Sequence, residues 1–139
     1  MDVIKTNIIE SAIEYCLKNK KFININNKHC CVIFYKQNIY SKSVNSFNGH
    51  AEINSLIKLT LNHKKIKKFN ILVIRLGSDI TFGNSKPCLY CLEYLHRFYN
   101  QCKYVYYSTG NEMEIKREKL NTIKTEHISK SKKYLKTKC

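Results

Sequence analysis

A chain of 139 residues is long enough to bury one core and too short for two, so a single domain is expected. No apolar run approaches the about 18 residues of a membrane-spanning helix, and Met1-Asp2-Val3-Ile4-Lys5 has no basic stretch leading into an apolar block; the expectation is a soluble, intracellular, cytoplasmic protein with no membrane partner. The net charge of +15 favours anionic partners, but it rests on 22 lysines and only 3 arginines. Lysine lacks the bidentate fork suited to phosphate and base recognition, and an AT-rich coding sequence produces the same excess whatever the function.

Taken in order, Ile8, Ile9, Ala12, Ile13, Cys16 and Leu17 recur at helical spacing and predict an amphipathic helix over roughly residues 3–20, with Lys18, Lys20 and Lys21 at its C-terminal end. Asn26-Asn27 reads as a turn. The apolar run from Cys30 to Tyr35, the turn Lys36-Gln37-Asn38 and then Ile39-Tyr40-Ser41 predict a two-stranded hairpin. The small, polar stretch from Ser43 to Gly49 suits a loop along a pocket wall, with Gly49 turning into a helix that His50 begins. Ile53, Leu56, Ile57 and Leu61 are the expected buried face of that helix, and Lys64 to Lys68 its solvated end.

Ile71-Leu72-Val73-Ile74 is apolar on both faces, as a central strand should be. A long polar exit from Gly77 to Lys86 follows. Pro87 then opens the next helix, placing Cys88 and Cys91 in its first turn, with Leu92, Leu95 and Phe98 or Tyr99 inward. Tyr104 to Tyr107 is a fourth strand and Met113 to Lys116 a fifth. The link between them is too short for a parallel crossover, so the pair is expected to be an antiparallel hairpin. Residues 122–139, with Ile123, Ile128, Tyr134 and Leu135 among lysines, read as a basic tail or short helix after a domain over 1–121.

Among these elements, His50-Ala51-Glu52 and Pro87-Cys88-Leu89-Tyr90-Cys91 stand out. One imidazole and two thiolates suit zinc, and three protein ligands leave the fourth tetrahedral position open, as a catalytic site requires. A second C-x-x-C or an H-x-x-x-H pair downstream would favour a structural zinc ribbon, but none follows. Glu52 is placed to move protons, a carboxylate that a purely structural site does not need. Both cysteines fall at a helix start, where the positive helix end favours thiolates. If the two helices pack on one face of the sheet, His50 and the cysteines converge. Cys16, Cys30, Cys31, Cys102 and Cys139 read as small buried hydrophobes of a reducing compartment.

With H-x-E followed by P-C-x-x-C in place, the sequence resembles the cytidine deaminase superfamily over about residues 5–120. The resemblance implies an α/β fold, a three-layer α/β/α sandwich around a five-stranded mixed sheet. It implies Zn2+ held by His50, Cys88 and Cys91, with Glu52 as the proton shuttle. Hydrolysis would replace the C4 amine of cytosine by oxygen, Glu52 protonating N3 and the leaving ammonia, while backbone N–H groups near Cys88 stabilise developing charge. Asn45 resembles the asparagine that the family sets against the substrate sugar, and with Ala51 it is a candidate substrate contact.

His50-Ala51-Glu52-Ile53-Asn54 resembles the deoxycytidylate deaminases, whereas the short link after Thr109 is similar to the cytidine and blasticidin deaminase branch. Three readings are open. The first is a deaminase of a free pyrimidine nucleoside or nucleotide, for which a homo-oligomer is expected. The second acts on cytosine or adenine in single-stranded DNA or RNA, with the charge and ten tyrosines in its favour. The third is a non-catalytic, zinc-stabilised binding protein.

Overall fold

A computed structural model describes residues 6–19, 28–45, 50–62, 66–76, 81–98 and 100–124. The order of elements is α1 (Thr6–Lys18), β1 (Lys28–Tyr35), β2 (Asn38–Val44), α2 (Ala51–Asn62), β3 (Phe69–Leu76), β4 (Phe82–Gly83), α3 (Leu89–Leu95), a 3-10 turn (His96–Phe98), β5 (Cys102–Ser108) and β6 (Ile115–Lys119). The sheet runs β2-β1-β3-β5-β6, with β4 paired to β3. Among the described strands only β3 and β5 pair in parallel; every other pair is antiparallel, including the expected hairpins β1–β2 and β5–β6.

The period of a strand divides the core into two layers. From β3, Phe69, Ile71 and Val73 point to one face and Leu72, Ile74 and Leu76 to the other. From β1, Cys31 and Ile33 join the first set, and Cys30, Val32 and Phe34 the second. This explains why both strands read as unbroken apolar runs: neither face sees water. Helix α1 covers the second face with Ile8, Ala12 and Cys16, spaced by one helical turn and fully buried. Helices α2 and α3 lie on the first with Ala51, Leu56, Leu59, Leu92 and Leu95. The result is the expected α/β/α sandwich, and α2 and α3 share a face. Among the described residues no helix is long and apolar enough to cross a membrane.

Several local expectations change. Ile57 and Leu61 are 46% and 69% exposed; Ser55 and Leu59 take the buried positions instead, because α2 turns the stripe begun by Ala51 toward the sheet. The hairpin turn is only Lys36 and Gln37, since Asn38 already pairs with Tyr35. Lys36 supplies the positive φ (55°) that a tight two-residue loop needs. The polar stretch before Pro87 contains β4, so the sheet has six strands. Pro87 precedes the N-cap Cys88 and lies outside α3. Strand β6 starts at Ile115, leaving Met113 in the link and 56% exposed. Met1 to Lys5, Asn26-Asn27, Gly49, Lys64-Lys65 and the tail beyond Lys124 lie outside the described residues.

Candidate metal centre

His50 and Cys88 hold equivalent positions, each just before a helix. The His50 carbonyl accepts from the Asn54 amide at 3.0 Å, and the Cys88 carbonyl from the Leu92 amide at 3.0 Å. Cys88 is extended (φ −73°, ψ 168°), and its side chain makes no capping hydrogen bond, so its sulfur is turned elsewhere. It turns toward His50. The imidazole Nδ1 lies 3.0 Å from Cys91 Sγ and 3.6 Å from Cys88 Sγ. All three atoms fall within 4.8 Å of one another. Among the described residues this is the one cluster of potential metal ligands.

The donor set fits zinc. With Zn–N near 2.0 Å and Zn–S near 2.3 Å, a tetrahedral centre has N–S edges of about 3.6 Å, the scale of these separations. Ile53 packs with the two cysteines beneath the partly buried Tyr90 and Tyr94. The Tyr90 ring meets the His50 ring edge-on, centroids 5.9 Å apart, and so restrains the imidazole.

Electrostatics prepares the sulfurs unequally. A hydrogen bond from Cys91 holds the Cys88 thiol down at about 4, helped by His50 and opposed by burial. Cys91, as donor in that bond, is pushed far up. His50 is raised by its hydrogen bond to Cys88 against the effect of burial.

Glu52, in the first turn of α2, is 4% exposed. Burial raises its carboxyl, while its own amide, His50 and Cys91 work in the opposite direction. Its Oε1 is buried with no hydrogen-bond partner. An orphaned carboxylate oxygen beside an imidazole and two sulfurs is expensive unless it has a ligand or a proton to serve.

The other two expected site residues are placed differently. Ala51 begins α2, its methyl fully buried in the core. Asn45 follows β2; its Oδ1 accepts from the His29 amide at 3.1 Å, and its own amide donates to the His29 carbonyl at 3.1 Å, extending the β1–β2 ladder. Asn54 ties the end of β2 to α2 through Val44 O at 3.0 Å. Sequence reasoning passed over the buried pair Ser85 and Ser108 and the triad Tyr107, Glu118 and Lys86. Nothing in their local sequence marks them, because their partners lie across the sheet.

Neither a protein-family model nor a curated protein matches the sequence. Solved structures do. The dCMP deaminase from the cyanophage S-TIM5, in complex with dCMP and dUMP, superposes with a TM-score of 0.52 at 16% identity, covering 78% of this chain and 85% of that one. Its apo form gives 0.50 at 18% identity, covering 78% and 87%. Layer order, strand pairing and these likenesses together give the chain the fold of these deaminase structures.

Proposed function

We propose that the protein is a zinc-dependent hydrolase that converts the cytosine base of a free nucleoside or nucleotide to uracil and ammonia. The observation that carries this reading is the buried, partnerless Oε1 of Glu52 two residues from a His50–Cys88–Cys91 ligand set. A neighbour of the same fold was solved with dCMP and dUMP, which differ by the exchange of the C4 amine for oxygen, and this supports a nucleotide.

His50 Nδ1 and the sulfurs of Cys88 and Cys91 would hold the metal. Bound there with one position open, zinc would supply Lewis acidity that makes water a nucleophile at neutral pH. Glu52 Oε1 takes the water proton and delivers it to ring N3; a second transfer through the same oxygen lets the C4 amine leave as ammonia. Its raised proton affinity suits it to both directions. The Ala51 amide, one of the first-turn N–H groups without an intrahelical acceptor, and Asn45 are the proposed substrate contacts.

The test is a product assay on zinc-loaded protein, comparing cytidine, deoxycytidine, CMP and dCMP with single-stranded DNA and RNA oligonucleotides containing cytosine. Formation of the free uracil nucleoside or nucleotide is the expected result. Turnover confined to oligonucleotides would overturn it in favour of a nucleic-acid deaminase, the reading to which the +15 charge lends weight.

A further inference from the structure

The most densely bonded polar group in the described interior is neither a metal ligand nor a proton shuttle. Ser85 and Ser108 are 4% and 0% exposed, and their hydroxyl oxygens lie 2.7 Å apart. Ser85 Oγ donates to Val73 O on β3 at 2.6 Å and accepts from the Ser108 amide at 2.9 Å. The Ser85 amide donates to Ser108 O at 2.8 Å. Ser108 Oγ lies 2.5 Å from Gly83 O on β4 and accepts from the Arg75 amide at 3.2 Å, so two hydroxyl protons are shared among Val73 O, Gly83 O and the contact between the two oxygens. Two hydroxyls thus bind the segment leaving β4 to the ends of β3 and β5 at once.

Both hydroxyls serve backbone groups of β3, β4 and β5, namely Val73 O, Gly83 O and the Ser108 and Arg75 amides, so part of their contribution is to stability. What the pair fixes is the start of the segment running to Cys88. Between Ser85 and that cysteine stand only Lys86 and Pro87. The Lys86 amide is held by Asn84 Oδ1 at 2.9 Å, and proline has its φ locked. Thr109 bridges Asn84 from the end of β5, and Gly110, at φ +91°, brings its backbone against the Asn84 amide. Little torsional freedom is left between the serine pair and the Cys88 sulfur.

We infer that Ser85 and Ser108 are positioning residues that set where Cys88 stands opposite His50, and so tune metal affinity from outside the ligand set. The inference rests on the metal-binding reading above. Partners behind the ligands are worth about tenfold to 100-fold in affinity at other metal centres.

Zinc affinity by chelator competition, and the thiolate-to-metal absorption of the Co2+-loaded protein, test it. Ser85→Ala and Ser108→Ala are each expected to weaken zinc by about tenfold or more and to shift the Co2+ spectrum. The double variant should lose little beyond either single one, because the two hydroxyls act as a unit. Ile8→Val, in the core on the opposite face of the sheet, controls for lost stability alone and should leave affinity and spectrum unchanged. Should the serine variants not fold, Asn84→Ala at the exposed surface loosens the same segment; it should weaken zinc severalfold at unchanged Tm. Serine variants that bind zinc as the control does, or an Asn84→Ala protein with unaltered affinity, would overturn the positioning role alone. A wild-type protein that takes up no zinc overturns the metal reading and this inference together.

Discussion

His50 and Cys88, 38 residues apart in the chain, face each other across 3.6 Å because each ends the approach to a helix on the same face of the sheet. The site is therefore a junction of two helix starts, and the residues proposed to hold the metal also lead into α2 and α3. Removing one ligand removes both functions. Cys88→Ser is expected to lose zinc and to melt earlier than wild type, and chelation of the wild-type protein should lower Tm by a comparable amount. Ligand linkage at a metal concentration 1,000-fold above Kd amounts to about 4 kcal/mol, which sets the scale for the calorimetric comparison. Full zinc occupancy in Cys88→Ser would remove that cysteine from the ligand set.

What could be read in the sequence was whatever depends on spacing along the chain. The apolar runs Cys30 to Tyr35 and Ile71 to Ile74 announced doubly buried strands, the short link after Ser108 announced a hairpin, and H-x-E with P-C-x-x-C announced the clustering of His50, Cys88 and Cys91. What could not be read depends on contacts across the sheet. The Ser85 and Ser108 hydroxyls meet only because β4 and the end of β5 flank β3, and single serines carry no period. Asn45 looked like a substrate contact from its distance to His50; its Oδ1 also serves the β1–β2 ladder through His29.

Helix α2 shows how the rotation of a stripe decides energetics. Ile57 and Leu61 have the spacing of a buried face but stand in water, whereas Leu56 is fully buried against the sheet. Leu56→Ala is expected to cost about 2–5 kcal/mol in urea unfolding, and Leu61→Ala less than about 0.5 kcal/mol. Equal losses would mean that α2 is turned otherwise.

Glu118 on β6 accepts a short hydrogen bond from Tyr107 OH and sits 3.5 Å from Lys86 Nζ. Burial works to raise its carboxyl, but Tyr107, Lys86 and Lys116 outweigh it, and the folded carboxyl is held below its ordinary 4.5. A lowered carboxylate contributes stability above the unfolded value and loses it as pH falls through the folded one. Glu118→Gln should therefore destabilise near pH 7, by about 1 kcal/mol once solvent screening of this partly exposed group is allowed for. The difference from wild type should close as pH drops below 4.5, read from Tm at each pH. A gap that stayed constant with pH would mean that the carboxylate charge contributes nothing.

The interior thiols outside the candidate metal centre are governed chiefly by burial. Cys30 and Cys31 are pushed up by desolvation, and Cys102 is raised to about 12 for the same reason. As thiols without thiolate character they should resist alkylation in the folded, zinc-loaded protein. Mass spectrometry after iodoacetamide treatment should find Cys16, Cys30, Cys31 and Cys102 unmodified until denaturant is added. Labelling at a rate independent of unfolding would show that the core opens locally around them.

On the proposed reading, Glu52 separates holding the metal from using it. It is not among the three ligands, yet its buried Oε1 lies unpartnered beside them. Glu52→Ala should retain one zinc per chain while its turnover falls by at least the 10²–10⁴-fold typical of a lost general acid–base group. Glu52→Gln, which keeps shape but can neither take nor return the proton, should be equally inactive and should still bind the product base. Metal content by atomic absorption and ammonia release by a coupled assay read the two properties separately. Residual turnover near the wild-type level in either variant would remove Glu52 from proton transfer, and loss of zinc from both would make it part of the metal's support instead.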